Sequence, residues 1–149
     1  MMRLILMRHG KSAYPGGVRD HDRPLADRGR RSAALMGGWL QENGWLPDVA
    51  LVSSAARAQE TWAGTGIDAP MRTVAGLYLA PPEVLLKAAR AEDAGTVMIV
   101  AHNPGLAVLA SEVVDERPDH GRFMDFPTCA TLVVEDGAVL GFAVPRDLE

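Results

Sequence analysis

Two kinds of hydrophobic pattern alternate along the chain: short unbroken apolar runs, and longer stretches in which apolar residues recur every three or four positions. The unbroken runs predict strands that are buried on both faces, because such strands show no alternation of apolar and polar residues. The recurring stretches predict amphipathic helices. Strands that alternate with helices are typical of a mainly parallel sheet with helices packed against it.

Six segments have the composition of strands: residues 4–7, 49–52, 71–74, 96–101, 131–135 and 138–144. Segment 96–101 is the clearest because it is rich in branched residues, whereas segment 71–74 is short and weak. Asp136 and Gly137 separate the last two segments, and this dipeptide favours a tight hairpin. We therefore expect at least one antiparallel strand at an edge of the sheet.

Helices are predicted over residues 27–43, from the serine pair at 53–54 through residue 62, over 82–91, and from about 105 to 114. The segment 115–127 is expected to be an irregular loop, and the tail 145–149 is expected to be loose. The pattern predicts a single α/β domain over residues 1–149. It is a three-layer sandwich, with a mainly parallel sheet, helices on both faces and an antiparallel edge hairpin.

Composition and charge narrow the class of protein. The 149 residues are 48% hydrophobic and 23% charged, which is typical of a folded globular domain. The net charge of -4 gives no support to nucleic-acid binding, which usually shows as a basic face. No apolar run is long enough for a membrane span or a signal-peptide core, and the single cysteine excludes an internal disulfide. We therefore expect a cytoplasmic protein that binds neither nucleic acid nor membrane.

The first strand ends in residues with the chemistry of an anion site. Arg8, His9 and Gly10 directly follow the buried segment 4–7. The Arg8 guanidinium is a planar fork of donors that suits phosphate, and His9 can act as a nucleophile, a base or a metal ligand. Because ligands bind at the carboxyl ends of strands in open α/β sheets, these side chains are candidate site residues.

Two later strands end in a similar way. Arg57 lies in the first turn of the helix after segment 49–52, where the helix dipole disfavours a cation, and such a broken rule often marks a functional site. His102 directly follows segment 96–101. In a parallel sheet Arg57 and His102 would reach the same rim as Arg8 and His9, with no acidic residue in the same motifs. Two guanidinium groups, two imidazoles and a helix N-terminus suit a dianionic phosphoryl group.

A metal site is the main rival interpretation. The four histidines, His9, His21, His102 and His120, could in principle bind zinc. None of them shows the i, i+3 or i, i+4 spacing of a helical metal motif, and the cation at Arg8 would repel a dication. We therefore expect no metal, and we interpret His21 and His120 as exposed loop residues.

The other possible nucleophiles have structural explanations. Ser53 and Ser54 suit capping positions at the start of the second helix, and no Gly-x-Ser-x-Gly elbow surrounds them. Cys129 is interpreted as a small strand residue.

Several motifs now form an ordered set that spans most of the chain. They are Arg8-His9-Gly10-Lys11-Ser12, the segment 53–61 around Arg57, Asp22-Arg23-Pro24-Leu25, Leu77-Tyr78-Leu79-Ala80 and His102-Asn103-Pro104-Gly105. This set resembles the histidine phosphatase superfamily, whose best-known members are phosphoglycerate mutases, and within it the SixA-type phosphohistidine phosphatases. Ser54 stands where proline is common and Ala26 where a capping threonine is common, and neither departure touches the four central residues.

The resemblance implies a phosphoglycerate mutase-like fold and a phosphatase that needs no metal or other cofactor. By that resemblance His9 attacks phosphorus and becomes transiently phosphorylated, and water then releases phosphate. Arg8, Arg57 and His102 would hold the phosphoryl oxygens in the transition state through charge-assisted hydrogen bonds.

The general acid is left open among three carboxylates. Asp20 matches a suspected acid of the family by its spacing from the Arg-Pro pair at 23–24, and Asp22 and Glu83 are alternatives. Each of the three is equally explained as a solvated carboxylate. The expected substrate is phosphohistidine in a signalling protein. The alternatives are a small phosphorylated metabolite and, for a protein without activity, a phosphate-binding module.

Overall fold

The computed structural model describes residues 2–149 and contains a six-stranded sheet. Its strands are β1 (Arg3–Arg8), β2 (Val49–Ser53), β3 (Met71–Val74), β4 (Thr96–Ala101), β5 (Thr131–Glu135) and β6 (Ala138–Ala143). Their order across the sheet is β3-β2-β4-β1-β5-β6. The first four run parallel, whereas β5 pairs antiparallel with β1 and β6 pairs antiparallel with β5. The predicted α/β fold and its antiparallel edge hairpin are confirmed.

Helices cover both faces of this sheet. They are α1 (Asp27–Glu42), α2 (Ala56–Gly64), α3 (Pro82–Arg90), α4 (Gly105–Val113) and α5 (Pro145–Leu148). Successive side chains of a strand point to opposite faces. Accordingly, Ile5 and Met7 of β1 pack in a cluster with residues of α1 and α2, and Leu4 and Leu6 pack with residues of α3 and α4. Within residues 2–149, none of the helices combines the length and apolar character that crossing a membrane requires.

Two glycines let helices lie directly against the loops that carry the candidate residues. A Cβ atom added to Gly29 of α1 would lie 2.2 Å from the carbonyl oxygen of Lys11, just after His9. A Cβ atom added to Gly105, at the start of α4, would lie 2.0 Å from the carbonyl oxygen of Ala80. Any larger residue would push these segments apart. The backbone around the candidate site is therefore held by close packing.

The prediction for the tail is wrong. Residues 145–148 form the short helix α5, and the Asp147 carboxylate accepts a hydrogen bond from the backbone N–H of Val144 at 2.9 Å. The same carboxylate lies 2.8 Å from Nε2 of His120. His120 is therefore partly covered and held by the tail, and it is not the exposed loop residue that we predicted. A contact between a loop and a distant tail leaves no trace in local hydrophobic patterning.

The prediction for the start of α2 is also wrong. The helix begins at Ala56 with Ala55 in the N-cap position, and no side chain caps it. Ser53 and Ser54 instead make contacts with two histidines, described below. Cys129 lies before β5, with a φ angle of 62°, rather than within a strand. It is buried, as a small apolar residue would be.

Candidate active site

The structure brings Arg8, His9, Arg57 and His102 together in one cleft at the carboxyl ends of β1, β2 and β4. The cleft has a volume of about 220 Å³. β4 lies between β2 and β1, so the residues that follow the three strands are neighbours in space although they are distant in sequence. The cleft is also lined by Lys11, Ser12, Tyr14, Arg23, Leu79, Asn103 and Thr128. The predicted juxtaposition is present, and the catalytic roles of the residues stay predictions.

The orientation of the His9 ring is set by its own backbone. Nδ1 of His9 lies 2.8 Å from the carbonyl oxygen of Gly10, which can only accept a hydrogen bond. Nδ1 therefore carries the proton, and the lone pair of the neutral ring is on Nε2. Burial, together with the charges of Arg8 and Arg57, lowers the pKa of His9 to about 4, so the ring is neutral at neutral pH. A neutral imidazole with a free Nε2 is a competent nucleophile.

Backbone hydrogen bonds fix the position of His9 from both sides. Its N–H donates to the carbonyl oxygen of Ala101 at 3.1 Å, and its carbonyl accepts from the N–H of Cys129 at 3.0 Å. The next residue, Gly10, donates its N–H to Oγ1 of Thr61 at 2.9 Å, and Thr61 donates to the carbonyl oxygen of Arg57 at 2.7 Å. The nucleophile candidate is thus tied to β4, to the segment before β5 and to α2.

His102 is held by Ser53, a contact that the sequence analysis missed. Nε2 of His102 lies 2.7 Å from Oγ of Ser53, which also accepts a hydrogen bond from the N–H of Ala55. Burial, with His9 and Arg57 nearby, lowers the pKa of His102 to about 3, so this ring is neutral as well. The Ser53 hydroxyl can donate to Nε2, which leaves the proton on Nδ1. Nδ1 is buried and has no hydrogen-bond partner among residues 2–149.

The two arginines bring positive charge into a mostly buried site. Arg57 is only 4% exposed, so its side chain is buried in the site and does not turn outward to water. Arg8 donates to the carbonyl oxygen of Phe126 at 3.4 Å, and its Nε is buried without a partner among residues 2–149. Burial and the charge of Arg57 lower the pKa of Arg8, but a guanidinium stays protonated in proteins. Both groups are charged donors for an anion.

The carboxylate of Asp20 contacts two arginines of the cleft, Arg57 and Arg23. Nη2 of Arg57 lies 3.1 Å from its Oδ2, and Nη1 of Arg23 lies 2.7 Å from its Oδ1. The Tyr78 hydroxyl also donates to Oδ2. These hydrogen bonds, that from Tyr78 first, hold the pKa of Asp20 well below its usual range. In this arrangement Asp20 is an ionised counter-ion of the site, and it could donate a proton only after it left the arginines and was protonated.

The other two candidate acids lie elsewhere. Asp22 pairs with Arg19 at 3.4 Å on the surface and does not line the cleft. Glu83 lines a separate cavity between α3, α4 and the turn of the β5–β6 hairpin. Of the three carboxylates that the sequence analysis left open, only Asp20 contacts residues of the candidate site.

Tyr78 is a second residue whose position sequence reasoning missed. Its ring packs edge-on against His102 and against His21, with centroid distances of 5.5 Å and 4.8 Å. Nε2 of His21 lies 2.8 Å from Oγ of Ser54. His21 is therefore a half-buried part of the wall around Tyr78, and the prediction that it is an exposed loop residue is wrong. The signal in the sequence that marks this position is the motif Leu77-Tyr78-Leu79-Ala80.

Among residues 2–149, no three His, Cys, Asp or Glu side chains are grouped so that they could hold a metal ion. Cys129 packs beneath Gly10, where a Cβ atom would lie 3.2 Å from its Sγ. Burial raises the pKa of this thiol to about 12. The protonated thiol is a poor nucleophile at neutral pH.

Three comparisons with known proteins agree with this geometry. The model of the histidine phosphatase superfamily (branch 1) matches residues 4–78. An uncharacterized protein from Mycobacterium tuberculosis is 40% identical over 158 residues, which cover 94% of this chain and 100% of the relative. The solved structure of a candidate phosphohistidine phosphatase SixA from Agrobacterium tumefaciens has a TM-score of 0.86 and 26% identity, covering 97% of this chain and 99% of that one.

A further solved structure supports the fold. The protein histidine phosphatase SixA complexed with tungstate matches with a TM-score of 0.82 and 24% identity, covering 99% of this chain and 100% of that chain. The resemblance that the sequence motifs predicted is confirmed by these matches.

Proposed function

Since the chain belongs to the histidine phosphatase superfamily, we propose that it is a metal-independent phosphatase that removes the phosphoryl group from phosphohistidine in a protein. His9 is the nucleophile, and it carries the phosphoryl group between two half-reactions. Arg8, Arg57 and His102 hold the non-bridging oxygens. The solved structure from Agrobacterium tumefaciens, named as a candidate phosphohistidine phosphatase, supports this choice of substrate class.

The observation that carries the proposal is the hydrogen bond from Nδ1 of His9 to the carbonyl oxygen of Gly10. It leaves the lone pair on Nε2 in a cleft lined by four cations, Arg8, Lys11, Arg23 and Arg57. The cations attract a dianionic phosphoryl group, and the neutral ring supplies the electron pair that attacks it. A site that only bound phosphate would have no need of a free nucleophile beside its cations.

The reaction proceeds in two steps. The Nε2 lone pair of His9 forms a bond to phosphorus, while the bond from phosphorus to the leaving imidazole nitrogen breaks. The leaving ring keeps that electron pair and takes a proton from solvent. Water then attacks the phosphoryl group on His9 and loses a proton, and cleavage of the nitrogen–phosphorus bond releases phosphate and restores the neutral ring.

Catalysis in this scheme is mainly electrostatic. The phosphoryl oxygens carry charge throughout the transfer, so donors that contact them in the transition state lower the barrier. Arg8 and Arg57 supply charged donors, and His102 supplies its Nδ1 proton. Because Arg57 contacts Asp20, an incoming phosphoryl group competes with that carboxylate for the guanidinium.

The state of Asp20 favours substrates with good leaving groups. An alkoxide needs a proton as its bond breaks, so phosphate monoesters of alcohols require a well-placed acid. The low pKa of Asp20 keeps it ionised among Arg23, Arg57 and Tyr78. A phosphoramidate is more labile, and an aryl phosphate leaves as a stabilised phenolate. Asp20 is the candidate acid for poorer leaving groups only.

The experiment that tests this proposal compares kcat/KM for three classes of substrate: a phosphohistidine protein, an aryl phosphate, and alkyl phosphates such as phosphoglycerate and sugar phosphates. We expect the first two classes to be cleaved faster than the third. Equal or faster cleavage of an alkyl phosphate would favour the metabolite phosphatase. Binding of phosphate without turnover of any class would favour the phosphate-binding module.

A further inference from the structure

A second cleft lies next to the candidate active site. It has a volume of about 340 Å³ and is lined by parts of α1, of α5 and of the segment before β5. Thr128 lines both clefts. The candidate active site and the second cleft are therefore neighbours that share one residue as their boundary.

The wall between the two clefts is the segment 126–128, and residues of the catalytic cleft form hydrogen bonds to it. The carbonyl oxygen of Phe126 accepts hydrogen bonds from Arg8 at 3.4 Å and from Asn103 at 2.9 Å. Pro127 and Thr128, which come next, line the second cleft. A ligand that fills both clefts would thus pass over a wall that the site arginine itself helps to hold.

The second cleft is basic. Arg28, Arg122 and Arg146 line it, against a single acidic lining residue, Glu149. Arg122 pairs with Asp125 at 3.1 Å, whereas Arg28 and Arg146 are exposed and form no ion pair with residues 2–149. Four cations line the catalytic cleft and three line this one, so seven of the chain's 15 Lys and Arg residues face two adjoining clefts. In a chain of net charge -4, this clustering makes one basic region.

Two large apolar side chains stand at the mouth of the catalytic cleft. Tyr14 is 75% exposed and Leu79 is 53% exposed, and both line the cleft. The Arg23 guanidinium lies over the Tyr14 ring, 3.7 Å from its centroid, which holds the ring in place. Leu79 has a φ angle of 52°, a conformation that disfavours a residue with a side chain. Exposed aromatic side chains beside arginines are typical of protein interfaces.

We propose that the second cleft and the rim formed by Tyr14 and Leu79 bind a protein substrate whose phosphorylated histidine is flanked by acidic residues. The acidic residues lie in the second cleft, against Arg28 and Arg146. The inference rests on the proposed function and adds the kind of protein that the phosphatase selects.

The positions of these residues favour a protein over a small molecule with two phosphoryl groups. Tyr14 and Leu79 line the catalytic cleft and not the second cleft, and Arg28 and Arg146 line the second cleft and not the catalytic one. A ligand that contacts both pairs must reach across Thr128 while one phosphoryl group stays at His9. A peptide segment with side chains on either side of its phosphohistidine can do so.

The test uses two chemically phosphorylated histidine peptides of equal length, one with glutamates flanking the phosphohistidine and one with glutamines. For the wild-type chain at low salt we expect KM for the acidic peptide to be on the order of tenfold lower, because exposed charge pairs act weakly and additively. The double variant Arg28→Glu, Arg146→Glu should lose this preference. Arg28 lies in the first turn of α1, where an acid is tolerated, and Arg146 is exposed on the short helix α5.

The matched control is Arg90→Glu, which changes an exposed arginine on α3 that lines the separate cavity with Glu83. It should keep the preference for the acidic peptide. Turnover of phosphoramidate, which reaches only the catalytic cleft, should be the same in all these variants. Binding of the two peptides to the His9→Ala variant tests the surface whether or not the chain hydrolyses them.

The outcomes separate the two proposals. If phosphoramidate and both peptides resist hydrolysis but the acidic peptide binds more tightly through Arg28 and Arg146, the phosphatase proposal fails and the surface stands. If the peptides are hydrolysed with equal KM, or the double variant keeps the preference, the surface proposal is overturned. An effect of the double variant on a small bisphosphate, with none on either peptide, would also overturn it.

Discussion

Oδ2 of Asp20 lies 3.1 Å from Nη2 of Arg57, so a carboxylate of the chain contacts a guanidinium that we assign to phosphate binding. The two residues are 37 positions apart and belong to a loop turn and to the start of α2. The contact neutralises part of a charge that is otherwise buried. It also means that an oxyanion must compete with Asp20 for the same donor.

The first prediction follows from that competition. Asp20→Asn removes the competing charge, so inorganic phosphate and vanadate should inhibit more strongly, with inhibition constants lowered about fivefold, the upper range for a partly exposed ion pair. The same variant should slow alkyl phosphates more than phosphohistidine or aryl phosphates. The control is Asp22→Asn, which lies in the same turn but pairs with Arg19 and His21 rather than with Arg57. Unchanged inhibition constants in Asp20→Asn would show that the contact does not compete.

The second prediction concerns the positioning of His102. Ser53→Ala removes the hydroxyl that faces Nε2 of His102 at 2.7 Å, so the ring loses its fixed tautomer and orientation. We expect kcat to fall by about tenfold or more with little change in KM, since His102, which Ser53 positions, acts in the transition state. Ser54→Ala is the matched control, because Ser54 contacts His21 instead. Equal losses in both variants would contradict this role for Ser53.

The third prediction concerns the anion donors and the absence of a metal requirement. Arg57→Ala and His102→Ala should each lower kcat by about a hundredfold or more, as is typical when one transition-state donor is removed. Wild-type activity should be inhibited by vanadate and unaffected by a chelator. Activity that disappears with chelator and returns with zinc would establish a metal enzyme instead.

The fourth prediction concerns stability as a function of pH. The folded pKa values of His9 and His102 are about 4 and about 3, below the ordinary 6.5. At a pH between the ordinary value of 6.5 and the folded values, the unfolded chain binds more protons than the folded protein. The contribution of the two neutral rings to folding stability is therefore complete above pH 6.5 and is lost as the pH falls towards 4. Since one pKa unit corresponds to about 1.4 kcal/mol, wild type should lose about 3 kcal/mol of unfolding free energy for each of the two histidines over this window.

Urea unfolding at a series of pH values measures this loss. His102→Ala removes one of the two buried rings, so its unfolding free energy should depend less steeply on pH than that of wild type. An equally steep dependence in the variant would show that His102 does not contribute.

The sheet and the rim of the site could be predicted from the sequence because both depend on local order. Unbroken apolar runs mark buried strands, and Arg8, His9 and His102 directly follow two of them. Parallel topology then brings the ends of these strands together. Arg57 could be included because a cation in the first turn of a helix is unusual.

The partners of these residues could not be predicted in the same way. Asp20, Ser53 and Tyr78 each fit a bland local explanation, as a loop acid, a helix cap and a loop aromatic. In the structure Asp20 contacts Arg57, Ser53 contacts His102, and Tyr78 contacts Asp20. Each of these contacts joins segments that meet only through tertiary packing. The helix of the tail is missed for a similar reason, since the contact of Asp147 with His120 stabilises it from outside.

The measurement that tests the central claim most directly is rapid quenching of the reaction with substrate labelled in its phosphoryl group. We expect acid-labile label on His9 at early times, because its Nε2 is free in the cleft while Nδ1 donates to Gly10. His9→Ala should keep the fold, remove activity and carry no label. Label on another residue, or near-normal turnover by His9→Ala, would contradict the account.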